Sequence, residues 1–170
     1  LKSILKRKII IDYNQNCQVM SVYKPFIKKF YYADKKLSDR FTAKHLQLFG
    51  NDLDQKNLLI LFNNGSTKFK IISTDHLFEF GSLLEGGGQS IGAPLYLYSP
   101  DGTRIDNITD WGFNQFAKRY GKKGMSKEAI FHYVYAVLHH PAYRTKYELN
   151  LKREFPRVPL YDDFAQWSAW

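Results

Sequence analysis

The chain has 170 residues, 44% of them hydrophobic and 16% aromatic, enough for one domain with a real core or a domain with a helical appendage. Its formal net charge is +9, of which residues 1–40 carry +7, a balance that favours a polyanionic partner, nucleic acid first. One cysteine, Cys17, excludes an intrachain disulfide and a Cys-based zinc site, and no apolar run is long enough to span a bilayer. No signal peptide is visible, so a reducing, cytoplasmic setting fits, with no membrane partner. The end at Trp170, inside what reads as an unfinished helix, is the pattern expected of a domain excised from a longer protein.

The elements follow in chain order. Lys8–Asp12 is β-branched and reads as a strand, closed by the turn-prone Asn14-Gln15-Asn16. Val19–Val22 and Phe30–Tyr32 read as strands flanking Lys24-Pro25; Pro25 lacks a donor and belongs at an edge or bend. Asp39–Leu48 is a short helix ended by Gly50-Asn51. Leu58–Phe62 is an apolar strand, Asn63-Asn64-Gly65-Ser66 a turn, and Phe69–Ser73 its hairpin partner. Leu77–Phe80 is ambiguous, Glu85–Gly92 reads as a glycine-rich loop, Ala93–Tyr98 as a strand, and Ser99-Pro100-Asp101-Gly102 as a turn.

After Asn107 the periodicity becomes helical. Thr109–Tyr120 stops at Gly121, and Ser126 can cap a second helix running to about His139, where Pro141 limits it. Ala142–Lys152 reads as a third helix with Tyr143, Tyr147 and Leu151 on one face. Pro156 and Pro159 make an extended link, and Tyr161–Trp170 starts a fourth helix. The chain is therefore expected to be α+β: a β-rich part over 1–106, with a mixed or antiparallel sheet, then a helical part over 107–170, together one compact domain.

Generic chemical motifs are weak. Glu85–Gly92 lacks the lysine that a phosphate-binding loop places after its last glycine, and Ala93 opens a strand rather than a helix. Asp34-Lys35-Lys36 and Asp54-Gln55-Lys56 fit half of a metal-nuclease motif, for which Asp12 or Asp52 would have to supply a second carboxylate; solvated charge is the simpler reading. His139 and His140 suit a helix C-terminus, where an imidazole can meet free carbonyls, better than a metal. Tyr23–Tyr32 interleaves three lysines with five aromatics, a pattern that suits phosphates and exposed bases. The simpler reading packs Phe26 and one face of Phe30–Tyr32 into the core and leaves the lysines on a wet face from which they can still meet phosphates.

Three segments carry a family resemblance. Phe131-His132-Tyr133-Val134-Tyr135-Ala136-Val137-Leu138-His139-His140-Pro141-Ala142-Tyr143-Arg144, followed by Leu151–Leu160, resembles the C-terminal signature of type ISP restriction–modification enzymes, FxYVYAVLHxPxYRxxY followed by LKxxxPRIPL. Pro94–Tyr98 is similar to the family's PLYLY strand. Tyr23–Asp34 resembles its YRPFDxRxxYYD element, with Lys24 for Arg, Ile27 for Asp and Phe30 for Trp. Losing the Arg fork weakens any bidentate contact there.

The resemblance implies a target-recognition domain that reads a short asymmetric site in double-stranded DNA and contacts the methyltransferase domain of the same polypeptide. The parent would be an N6-adenine methyltransferase with a helicase-like motor and a nuclease, bacterial and cytoplasmic, using S-adenosylmethionine, ATP and Mg²⁺. The domain itself would have no catalytic residue, cofactor or metal. Phosphate contacts are expected from Lys24, Lys28, Lys29, Lys35, Lys36 and Arg40, and from a second patch at Lys118, Arg119, Lys122 and Lys123. Base contacts are expected from Asn63, Asn64, Lys68, Gln89 and Arg104, since amides suit adenine and Arg or Lys suits guanine. The alternatives are a structural docking module that joins a methyltransferase to other subunits, with the aromatic helices as its interface, and a small metal nuclease built on the Asp-x-Lys triplets.

Overall fold

The computed structural model describes residues 10–34, 36–37, 43–64, 68–79, 81–83 and 89–170, the side chains of Asn64 and Gln89 excepted. The expected α+β order is present: strands lie mainly in the first part of the chain and helices in the second.

Strands β1 (Gln18–Lys24) and β2 (Ile27–Tyr32) form an antiparallel hairpin, and β5 (Leu77–Phe78) pairs in parallel with the other edge of β1. Pro25 sits in the hairpin turn, where its missing donor is harmless. A second sheet has β3 (Leu59–Asn64) at its centre, flanked antiparallel by β4 (Ile71–Thr74) and β6 (Gln89–Pro94). Strands β7 (Tyr96–Tyr98) and β8 (Arg104–Asp106) make a ribbon around the Ser99–Gly102 turn. The Asp101 carboxylate accepts from the Ser99 hydroxyl and the Thr103 amide, which holds its pKa down at about 2, and Gly102 supplies the positive φ of +85°.

Helix α1 is Ala43–Phe49, and residues 39–42 of the expected helix lie outside the described residues. Helix α2 (Asp110–Tyr120) is capped by the Thr109 hydroxyl, and α3 (Lys127–His139) by that of Ser126, the cap its sequence suggests. Helices α4 (Pro141–Lys146), α5 (Glu148–Leu151) and α6 (Phe164–Ala169) complete the chain.

Several expectations are corrected. Residues Ile10–Asp12 are not a strand, and the stretch before β1 is a short turn of 3-10 helix, Gln15–Cys17, capped by Asn14. Asn63 and Asn64 belong to β3 rather than to a turn. The supposed loop Glu85–Gly92 is a strand from Gln89 onward; Gly92 pairs with Leu61, and a Cβ there would lie 2.8 Å from two ring carbons of Phe78. The strand Ala93–Tyr98 breaks at Leu95. Pro94 ends β6, and the Leu95 side chain turns into the core while its N–H bonds to the Leu58 carbonyl. The third helix is split at Tyr147 (φ −108°, ψ 19°), which keeps both Tyr143 and Leu151 buried. The last helix starts at Phe164, because the Tyr161 N–H is given to the Tyr133 hydroxyl and Asp163 caps at positive φ. His140 does not bond free carbonyls with its ring: Nδ1 accepts from Ala142 N and caps α4.

Two cores meet across β3. Ile60 and Phe62 on one face join Ile71, Leu95, Phe131, Val137, Leu138 and Tyr143, so the strand part and the helical part share one apolar cluster. Leu59 and Leu61 on the other face pack with Phe49, Leu77 and Leu83. Asn57, buried just before β3, donates to the Leu48 and Tyr96 carbonyls and accepts from Leu58 N and Tyr96 N, so its amide ties α1, β3 and β7 together.

Two measurements test this packing. Leu138→Ala leaves a cavity in the cluster shared by strands and helices and is expected to cost about 2–5 kcal/mol in urea unfolding. Burial, reinforced by Tyr147 and Tyr161, pushes the Tyr143 phenol up from 10.0 to about 12. The folded state thus favours the neutral phenol; its stabilisation is full below pH 10 and is lost as pH rises through about 12. The unfolding midpoint should fall over that window, and less steeply in Tyr143→Phe.

Candidate nucleic-acid interface

The β1–β2 hairpin gathers the first lysine group. Lys24 Nζ donates to the Gly81 carbonyl at 2.8 Å, and Lys28 Nζ lies 2.8 Å from Nε2 of His76, whose Nδ1 is 3.5 Å from Asp75. Lys29 Nζ sits 3.8 Å above the Tyr23 ring. These contacts place the lysines without exhausting them, because an ammonium has three donors. Lys36 is exposed beyond the hairpin, where Asp34 Oδ1 accepts from its backbone N–H and from that of Leu37. That turn employs Asp34 structurally. Among the described residues no group of three or more His, Cys, Asp or Glu could hold a metal ion. Lys35 and Arg40 lie outside the described residues.

The hairpin aromatics are not where core packing would put them. Phe26 is 96% exposed and Phe30 68% exposed, so both face solvent, and only Tyr31 and Tyr32 are partly covered. Phe26 also has φ +66°, a conformation costing about 1–3 kcal/mol for a residue with a Cβ. Beside the hairpin, α1 and β6 frame an open cleft of about 950 Å³ lined by Tyr23, Lys29, Phe30, Lys44 and Phe78 among others. Nothing in the sequence pattern announces this cleft, because β1, α1 and β6 are far apart along the chain.

The second lysine group lies at the C-terminal end of α2 and in the loop after it. Lys118, Lys122 and Lys123 are exposed, whereas Arg119 is held 2.5 Å from Asp162 and stacks near Tyr120. Lys118 and Arg119 also complement the α2 dipole, a structural use of the same charges.

Of the base-contact candidates, Asn63 is buried. It is 3% exposed, and its amide donates to the Lys68 carbonyl and accepts from Lys70 N, closing the β3–β4 hairpin. Lys68 is exposed at that hairpin, and Arg104 is exposed on β8 with its guanidinium 4.3 Å over the Tyr96 ring. The side chains of Asn64 and Gln89 lie outside the described residues.

Comparison with known proteins gives this surface its context. The family model of the type ISP C-terminal specificity domain matches residues 1–170. The chain belongs to that family. No curated protein sequence matches it. The specificity domain is similar to part of the chain in a cryo-EM structure of a DrdV–DNA complex, with 37% identity, a TM-score of 0.85, and coverage of 99% of this chain and 16% of that one. It is also similar to a nuclease-deletion mutant of the type ISP restriction–modification enzyme LlaGI in complex with a DNA substrate mimic, at 28% identity and TM-score 0.74, covering 99% of this chain and 14% of that one. The ATP-dependent type ISP enzyme LlaBIII, bound to DNA, shares the fold at 21% identity and TM-score 0.76, over 99% of this chain and 11% of that one. The specificity domain thus spans about one-ninth to one-sixth of the length of these enzymes.

The reassignment of Asn63 is testable. Asn63→Ala strands a buried N–H and a carbonyl and is expected to destabilise the fold by about 1–3 kcal/mol. Urea unfolding should show that loss, while the affinity of the surviving folded protein for duplex DNA stays unchanged.

Proposed function

We propose that this specificity domain recognises a short asymmetric site in double-stranded DNA for a larger restriction–modification polypeptide. The observation that carries the reading is 37% identity over 99% of the chain to part of a polypeptide solved as a DNA complex. The cations at the surface, of which Lys24 is partly buried, give it chemistry. Lys24, Lys28, Lys29, Lys36, Lys118, Lys122 and Lys123 would meet phosphates, with Arg119 once released from Asp162, and Lys35 and Arg40 remain candidates on sequence grounds. Lys68 and Arg104, on two separate hairpins, would reach base edges, as would the amides of Asn64 and Gln89.

In this reading the chain holds and orients DNA and performs no bond-making step. Methyl transfer with S-adenosylmethionine, ATP-driven motion and Mg²⁺-dependent cleavage would belong to other segments of the parent. A base flipped out for methylation would be presented to the methyltransferase domain beside this one. The exposed Trp111 and Trp170 favour a second, compatible role, docking of the helical part on that neighbour. Among the described residues no helix is long and apolar enough to cross a membrane.

Fluorescence anisotropy of the chain with a labelled duplex, at increasing salt, tests the reading. Binding should be measurable at low salt and weaken steeply, and each lysine replaced by glutamine at Lys118, Lys122 or Lys123 should reduce the log–log slope by about 0.9. Absent binding, or a flat slope, would leave docking as the function. Duplex cleavage in Mg²⁺ that disappears in Asp34→Ala or Asp54→Ala would make the chain a nuclease instead.

A further inference from the structure

We propose that Phe26, at the tip of the β1–β2 hairpin, is an apolar wedge that enters a base step of duplex DNA and unstacks it. The inference rests on the DNA-recognition reading and adds a mechanical contribution to specificity. A phenylalanine that is 96% exposed at φ +66° gains nothing from packing and is strained where it stands. Its use therefore lies outside this chain. Ile27, half-exposed beside it, widens the apolar tip.

The stem beneath the tip is braced. Val22 O accepts from Glu79 N and from the Ser82 hydroxyl, both Lys24 and Lys28 are tied to neighbouring segments, and β5 pairs along β1. A braced stem can transmit force to a bare tip. The electrostatics select the partner: residues 18–32 hold Lys24, Lys28 and Lys29 and no Asp or Glu. A protein pocket built for a phenylalanine would have to desolvate or pair those ammoniums. A DNA groove offers phosphates on both sides of an apolar base stack, and Phe, Leu and Ile are the side chains that wedge into it. Opening a step is easiest at flexible pyrimidine–purine steps, so the tip would confer sequence preference without a hydrogen bond to any base.

The test uses the 170-residue chain and a short duplex carrying a donor and an acceptor at its ends and 2-aminopurine at a TA step. The wild-type chain should raise both energy transfer and 2-aminopurine emission. Phe26→Ala should keep the melting temperature and the salt slope, bind about tenfold more weakly, and leave both signals at their free-DNA values. Phe26→Leu should restore most of the response. Binding without either signal in the wild type, or equal signals in Phe26→Ala, overturns the wedge and leaves DNA recognition standing. Absence of any duplex binding removes both. If Phe26→Ala leaves the DNA signals intact and weakens association with a methyltransferase segment, the tip is a protein contact and the wedge is wrong.

Discussion

Strand β3 is buried on both faces, and the rest of the structure is arranged around that constraint. Side chains along a strand alternate, so Ile60 and Phe62 serve the cluster shared with the helices while Leu59 and Leu61 serve the cluster under β5 and α1. A one-residue slip would exchange the two sets and empty both cores at once. The antiparallel neighbours β4 and β6 fix the register, and the Asn57 amide fixes the point at which the strand begins. Gly92 completes the arrangement: opposite Leu61, it leaves room for the Phe78 ring between the first and second sheets.

The two halves of the C-terminal signature are one physical unit. The Tyr133 hydroxyl, fully buried, donates to the Pro159 carbonyl and accepts from Tyr161 N, and the Tyr143 hydroxyl donates to the Arg157 carbonyl. Helices α3 and α4 thus hold the extended proline-bearing link by its backbone, which has few partners of its own because proline lacks an N–H. Burial and the neighbouring Tyr120 hydroxyl raise the Tyr133 pKa further, so this phenol is a neutral structural hydrogen-bonding group. Arg144 extends the unit to the strands by donating to the Phe69 carbonyl, at 2.8 Å, rather than standing free for a phosphate. The Tyr120 hydroxyl also donates to the Tyr161 carbonyl, closing α2 onto the same link.

The polar surface follows a different logic from the core. Lysines on the hairpin are steered by single contacts, to a carbonyl, an imidazole and a ring face, that leave donors available. Such contacts reduce the rotamer entropy that a phosphate contact would otherwise cost. Arg119 and Arg104 are oriented likewise, by Asp162 and Tyr96. The exposed aromatic tip is the exception to this economy of satisfied groups, and its strain and exposure together mark it as an interaction element.

The sequence by itself determined the local features. Ser126 as a cap, Gly121 and Pro141 as stops, and the Ser99–Gly102 turn act within a few residues of themselves, so their chemistry is readable in one dimension. The apolar run before Asn63 likewise announced a strand, and the motif around Tyr133 announced the family. Tertiary structure alone decided the rest. Whether a side chain is covered depends on what the rest of the fold lays over it: Phe26, in the β1–β2 turn, is left bare, whereas Asn63 on β3 is enclosed. The break at Leu95 and the split at Tyr147 answer to the shared core rather than to propensity: each keeps a large side chain buried at the expense of a regular element. Phe26 and Phe30 look in sequence like any core pair, and only their exposure separates them from Phe131.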